Sequence, residues 1–140
     1  MNMIPDLQAA IVCDDVRQER NGKFMLIGIF DRINVAKFPV RYPRLCIYTR
    51  WAAGTGEFSQ QTRILRSDES VLLEGRPIRF KLDDPAHSAT NIENFINLEF
   101  LAPETHWIEV LLDGDLKIRL PLAINLIPPP PGTRPQGGEA

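Results

Sequence analysis

Along most of this chain apolar and polar positions alternate with a period of two, and no long stretch repeats every 3.6 residues, so the pattern predicts strands throughout. Residues 7–18 and 24–33 are rich in Val, Ile, Leu and Phe. Between them Asn21-Gly22 supplies the pair that a two-residue type I′ turn selects for its positive φ angles, which predicts a hairpin. Residues 34–43 carry Pro39 and Pro43, each without an amide donor and each restricting its predecessor, and predict an irregular crossing. Strands follow over 44–51, closed by Gly54 and Gly56, and over 57–65, where Gln60 and Thr62 on one face suggest a place near a sheet edge. In 71–82, Gly75 and Pro77 interrupt the pattern and point to a bulge or an edge. A polar loop is expected over 83–91 and a strand over 93–102. Two more strands flank Asp113-Gly114-Asp115, the second hairpin signal.

About eight short strands with turn-rich connections predict an all-β, antiparallel sandwich, immunoglobulin-like or C2-like in layout. At 140 residues one domain is expected, over 1–127. From 128 to 140 the run of prolines and glycines cannot supply a core and predicts an extended tail, or a ligand for a partner's aromatic groove.

A formal charge of −2 offers no bulk attraction for nucleic acid or membranes, so partners must be recognised locally. The opening Met-Asn-Met-Ile-Pro-Asp has no cationic start leading into an apolar run, which predicts no secretory signal and a cytoplasmic protein. No apolar run approaches the roughly 18–20 residues that span a bilayer, so no membrane association is expected. Cys13 and Cys46, the only cysteines, sit in apolar sequence and are expected to be buried and unpaired.

Candidate chemistry is sparse. Asp14 and Asp15 are adjacent in a strand, so they point to opposite faces and cannot form a carboxylate dyad; Arg17 and Arg32 are candidate partners for them. If strands alternate in direction, the connections at 20–23, 53–56, 82–91 and 113–115 gather at one end, bringing Asp83, Asp84, Asp113 and Asp115 to one rim. Four carboxylates could begin a Ca²⁺ cage, although tight turns select the same residues. His87 and His106 are expected in loops at opposite ends, and neither has an orienting carboxylate; with no Gly-rich phosphate loop and no Gly-x-Ser-x-Gly, nothing argues for an enzyme or a cofactor.

Charge is segregated along the chain. From Arg32 to Gly56 there are five cations and no acid; from Leu82 to Leu116 there are eight acids and no cation. The two stretches either neutralise each other as neighbours in the fold or form complementary contact patches. Within the basic stretch Lys37, Phe38, Arg41, Tyr42 and Arg44 interleave cations with aromatics. That mixture suits a protein interface and, with less support in an acidic protein, single-stranded nucleic acid.

The stretches CDDVRQERNGKFMLIGIFDRI, FPVRYPRLCIYTRW and LEFLAPETHWIEVLLDGDLKIRLPLAI, spread over residues 9–124, resemble a family of small bacterial proteins known only as a domain of unknown function. That resemblance implies a bacterial, cytoplasmic β-sandwich and transfers no catalytic residue. The sequence therefore leads to a non-enzymatic interaction module, binding a protein partner or itself through the 36–44 loop or a sheet edge. A sandwich binding Ca²⁺ or a small ligand at its acidic end is the alternative.

Overall fold

The computed structural model describes residues 2–128, which form two packed sheets. The strands are β1 (Asp6–Gln18), β2 (Phe24–Ile29), β3 (Arg32–Val35), β4 (Val40–Ala52), β5 (Gly56–Leu65), β6 (Val71–Glu74), β7 (Ile78–Leu82), β8 (Ser88–Phe100), β9 (Glu104–Leu112) and β10 (Asp115–Leu126). One sheet has four strands in the order β2-β1-β4-β8; the other has six, in the order β3-β10-β9-β5-β6, with β7 also pairing β5. All pairings are antiparallel except β3 with β10, which is parallel. The expected 128–140 tail lies, but for Pro128, outside the described residues.

The expected hairpin arm over 24–33 is two strands. β2 stays beside β1 and ends at Ile29; the chain then passes through Phe30 and Asp31 into the other sheet as β3. This extra reversal changes the parity of every later strand. The turns at 53–55, 83–87 and 113–114 do share one end, tied by Ala53 N–H to Pro85 O (3.2 Å) and Asp113 N–H to Ser59 O (2.8 Å). The Asn21-Gly22 turn, expected with them, lies at the opposite end, where β1 finishes. It is also not type I′. Only Gly22 has positive φ (89°), and its N–H bonds Glu19 O, so the loop is a tight turn followed by a glycine in the left-handed region. At Asp113-Gly114 both φ angles are positive (47° and 86°), which is the type I′ pattern expected there.

Three further expectations change. The strand expected over 93–102 begins at Ser88, so the loop before it is 83–87 and Ser88–Asn91 are ladder residues. His106, expected in a turn, lies within β9 and is buried. β5, expected near an edge, lies between β9 on one side and β6 and β7 on the other; its polar residues point into the core because the opposite sheet supplies partners for them. Gly75 and Pro77 do interrupt an edge, separating β6 from β7.

The core fills the space between the sheets: Val12, Leu45, Ile47, Phe95, Leu98 and Phe100 from one side meet Ile33, Val35, Ile64, Ile108, Leu122 and Ile124 from the other. A second cluster, Trp51, Phe58, Val110 and Leu112, closes the end nearest the 113–114 turn, with Trp51 stacked on Phe80 at 5.7 Å. Along β4 the inward set switches from Val40 and Tyr42 to Leu45, Ile47, Thr49 and Trp51; along β8 it switches from Phe100 and Leu98 to Phe95, Glu93 and Asn91. Pro43 and Asn97, the latter at φ 55°, face each other at the switch, and register is the same on both sides. Two opposed kinks thus turn both strands over together, which no period-two reading of either alone could show.

Candidate functional site

Three places carry chemistry: a polar network within the core, a cleft beside it, and the outer face of the four-stranded sheet. The network centres on Gln60 of β5, fully buried. Its Oε1 accepts from Thr49 Oγ1 (2.7 Å), Trp51 Nε1 (2.7 Å) and Asn91 Nδ2 (3.0 Å); its Nε2 donates to Glu93 Oε1 (3.0 Å) and Thr62 Oγ1 (3.4 Å). Thr62 Oγ1 in turn donates to Glu93 Oε1 at 2.5 Å. β4 and β8 of one sheet are thereby bonded through β5 to the other.

Glu93 has no cation partner among the described residues. Burial pushes its carboxyl above the usual glutamate range, and the bonds from Thr62 and Gln60 only partly oppose this. It lines a cleft of about 390 Å³ with Glu74, Gly75, Arg76, Ile78, Asn94 and Phe95, opened by the break between β6 and β7. A Cβ added at Gly75 would stand 2.8 Å from Glu93 Oε2, so the missing side chain is what keeps the carboxylate in the cleft wall. A raised carboxyl in a cleft is the usual signature of an acid-base group; a second carboxylate, Glu74, and the Thr62 hydroxyl stand with it here, and no histidine, cysteine or lysine lines the cleft.

The outer face of the four-stranded sheet follows from the registers. Directly opposed residues point the same way, giving the rows Ile11-Tyr48-Ile92 and Ile29-Cys13-Cys46-Asn94; beyond the last β1–β4 pair, Asp15 (opposite Ile27) and Arg44 (opposite Ile96) meet by an ion pair, and Phe24 of β2 lies against Tyr48. Ile96 (67%), Ile29 (64%), Ile27 (41%) and Met25 (41%) are exposed on it. A polar ridge runs between these apolar flanks. Arg44 bonds Asp15 (2.8 Å) and Asn94 Oδ1 (3.2 Å), and Arg17 also pairs with Asp15 (3.1 Å), which with Arg44 holds that exposed carboxyl below its usual range. Beneath the ridge Cys13 and Cys46 face each other, fully buried and free; Cys46 Sγ donates to Asn94 Oδ1 at 2.8 Å, and burial raises the Cys13 thiol.

The residues singled out in the sequence are dispersed. The expected 36–44 loop is only the 36–39 connection, since Arg41, Tyr42 and Arg44 are ladder residues of β4; Lys37 is exposed, Arg41 lies 3.6 Å from Glu99 and Arg44 belongs to the ridge. Phe38 and Tyr42 pack against the core, and Tyr42 donates to Asp14 Oδ1 at 2.7 Å; burial and that carboxylate push the phenol upward. Asp15 therefore pairs with Arg17 as expected, whereas Arg32 pairs with Asp31. Asp83 contacts Lys81 (3.4 Å), Asp84 accepts from Ala86 N–H (2.7 Å), Asp113 accepts from Ser59 N–H (2.8 Å), and Asp115 opens β10. They share an end of the molecule, yet among the described residues no three His, Cys, Asp or Glu side chains stand close enough to hold one metal ion. The charge segregation is partly answered in the fold, since basic β4 lies beside acidic β8.

Comparison with known proteins adds the family. A family of unknown function (DUF6941) matches residues 8–125. The chain belongs to this family. No curated protein matches the DUF6941 chain by sequence. Among solved structures it is similar to a Pseudomonas fluorescens alkylpurine DNA glycosylase, AlkC, bound to DNA containing an abasic site analogue (12% identity, TM-score 0.50, 88% of this chain and 31% of that one). A glycosyl hydrolase family 2 member from Bacteroides cellulosilyticus DSM 14838 also matches (10% identity, TM-score 0.39, 89% and 14%). The DUF6941 domain thus spans under a third of either chain, and the glycosylase match concerns the fold alone. Among the described residues no helix is long and apolar enough to cross a membrane.

Proposed function

We propose that this protein is a non-enzymatic interaction module that self-associates through the outer face of its four-stranded sheet. The observation that carries the reading is the pair of exposed apolar flanks, Met25, Ile27 and Ile29 on β2 and Ile96 on β8. Phe24 at the end of β2 lies against Tyr48 on this face (ring centroids 5.9 Å), so the β1-β2 arm folds over part of it and the apolar side chains left open are those of the flanks. Several large apolar side chains left exposed on one face mark a contact site more often than a solvated one. The ridge fits a second copy in particular. Asp15 and Arg44 sit side by side (2.8 Å), so a twofold axis through the face can set each over its opposite in the other copy.

Light scattering after size exclusion tests this. The chain should elute at twice its 15.9 kDa mass. Replacing Ile27 and Ile29 together by Asp should return it to one copy with an unchanged circular-dichroism spectrum. A wild-type chain that stays monomeric throughout, or a double variant that dimerises as well as wild type, defeats the proposal.

A further inference from the structure

We propose that the free margin of β8, about residues Ile92–Ile96, accepts an extended segment of a partner polypeptide by strand addition, with a lysine or arginine of that segment entering the Gly75 cleft to meet Glu93. It uses the main-chain edge of a strand whose outward side chains Ile92 and Ile96 belong to the outer face, and it is read by peptide binding and not by oligomeric state, so either proposal can fail alone.

Three observations converge. β8 ends the four-stranded sheet and pairs with β4 alone, so one side of its backbone carries no ladder among the described residues. Its sequence, SATNIENFINLEF, has no Lys, Arg or Pro to blunt the edge, and its kink at Asn97 lies just past the proposed segment; the inward charge of Glu93 is the one such device within it. By contrast β3 and β6 have four residues each, and Gly75 and Pro77 break the β6–β7 margin.

That break faces Glu93, whose Oε1 is held by Thr62 and Gln60 while Oε2 points toward Gly75. The glutamate is 9% exposed and lacks a cation. A buried carboxylate without a counter-ion is costly, and a cationic side chain is the group that relieves it. Ile78 and Phe95 offer the apolar walls that a lysine or arginine stem lies along; at the rim stand Glu74 and the exposed Arg76, which forms no ion pair with Glu93. β-strand addition supplies affinity through the main chain and specificity through alternate side chains, and only the inward-facing position reaches Glu93.

Calorimetric titration of the full chain with the capped peptide acetyl-Val-Thr-Lys-Val-Thr-amide tests this, with Glu in place of Lys as one control and n-butylamine as another. The lysine peptide should bind and the glutamate peptide should not. Glu93→Gln, which keeps the acceptor for Thr62 and Gln60, should weaken binding by about tenfold or more. Gly75→Ala, which fills the throat of the cleft, should weaken it similarly while the melting temperature confirms a folded chain. Equal binding of both peptides, butylamine binding as tightly as the peptide, no heat with the lysine peptide, or a folded Glu93→Gln chain with unchanged affinity would each overturn the proposal.

Discussion

Replacing Gln60 by Leu removes the hub that joins the sheets, and its cost can be worked from the bonds that survive. Thr49 Oγ1 keeps Asn91 O as an acceptor at 3.3 Å, and Glu93 keeps Thr62. Trp51 Nε1 and Asn91 Nδ2 lose the acceptor they share. Each of the two buried donors left without a partner costs about 1–3 kcal/mol, and the apolar leucine returns about 1 kcal/mol, so the net loss is about 1–5 kcal/mol. Against a total of about 5–15 kcal/mol this is large, and it corresponds to a fall in melting temperature on the order of 10 °C for a chain of this size. Urea unfolding followed by tryptophan fluorescence measures it, because Trp51 reports on the site directly. Gln60→Glu is the sharper companion. It has nearly the same shape but sets a second carboxylate against Glu93, so it should lose more stability at neutral pH and recover part of it in acid. If Gln60→Leu lies within about 0.5 kcal/mol of wild type, the network does not join the sheets in the way argued.

Other outcomes follow from single groups. Glu93 binds a proton more readily folded than unfolded, so its contribution is fully present below the ordinary glutamate range and is lost as pH rises through the native value; Glu93→Gln should flatten that part of the stability-pH curve and match or exceed wild type at neutral pH. His106 has the opposite sign. Burial lowers its pKa from 6.5, and Nδ1 has no partner, so its contribution is present above that value and lost as pH falls below it; His106→Phe should remove this acid-side loss in the same titration. Gly28→Ala should cost about 2 kcal/mol or more, measured by thermal melting, because φ is 69° and the new Cβ would overlap the Asp14 carboxylate that holds Tyr42. A cost below about 0.5 kcal/mol would show that β2 bends there without strain.

How much of this was legible in the sequence depends on which residues carried it. Sandwich layering and the Asp113-Gly114 hairpin followed from alternation and turn chemistry. The hop of β3 into the second sheet did not, because Ile33 and Val35 continue the apolar run of β2 and only a parallel partner 91 residues away in β10 separates them. β5 read as marginal since polar inward residues normally seek water. Nothing local announced that Thr49, Asn91 and Glu93 would satisfy them from the other sheet. The outer face has a signal of its own. Met25-Leu26-Ile27 and Ile29 form an unbroken apolar run, and a strand that is apolar on both faces is covered on both. The Glu93 cleft left none, since a glutamate in an alternating strand reads as solvent-facing until the kink at Asn97 is known.

The central claim is that two copies meet through the β2-β1-β4-β8 face, and isotope-filtered nuclear Overhauser contacts between labelled and unlabelled chains test it most directly. Methyl contacts from Ile27 and Ile29 to Ile92 and Ile96 of the second copy are the expected result. Intermolecular contacts confined to other surfaces, or none in a sample that scattering shows to be dimeric, would contradict it.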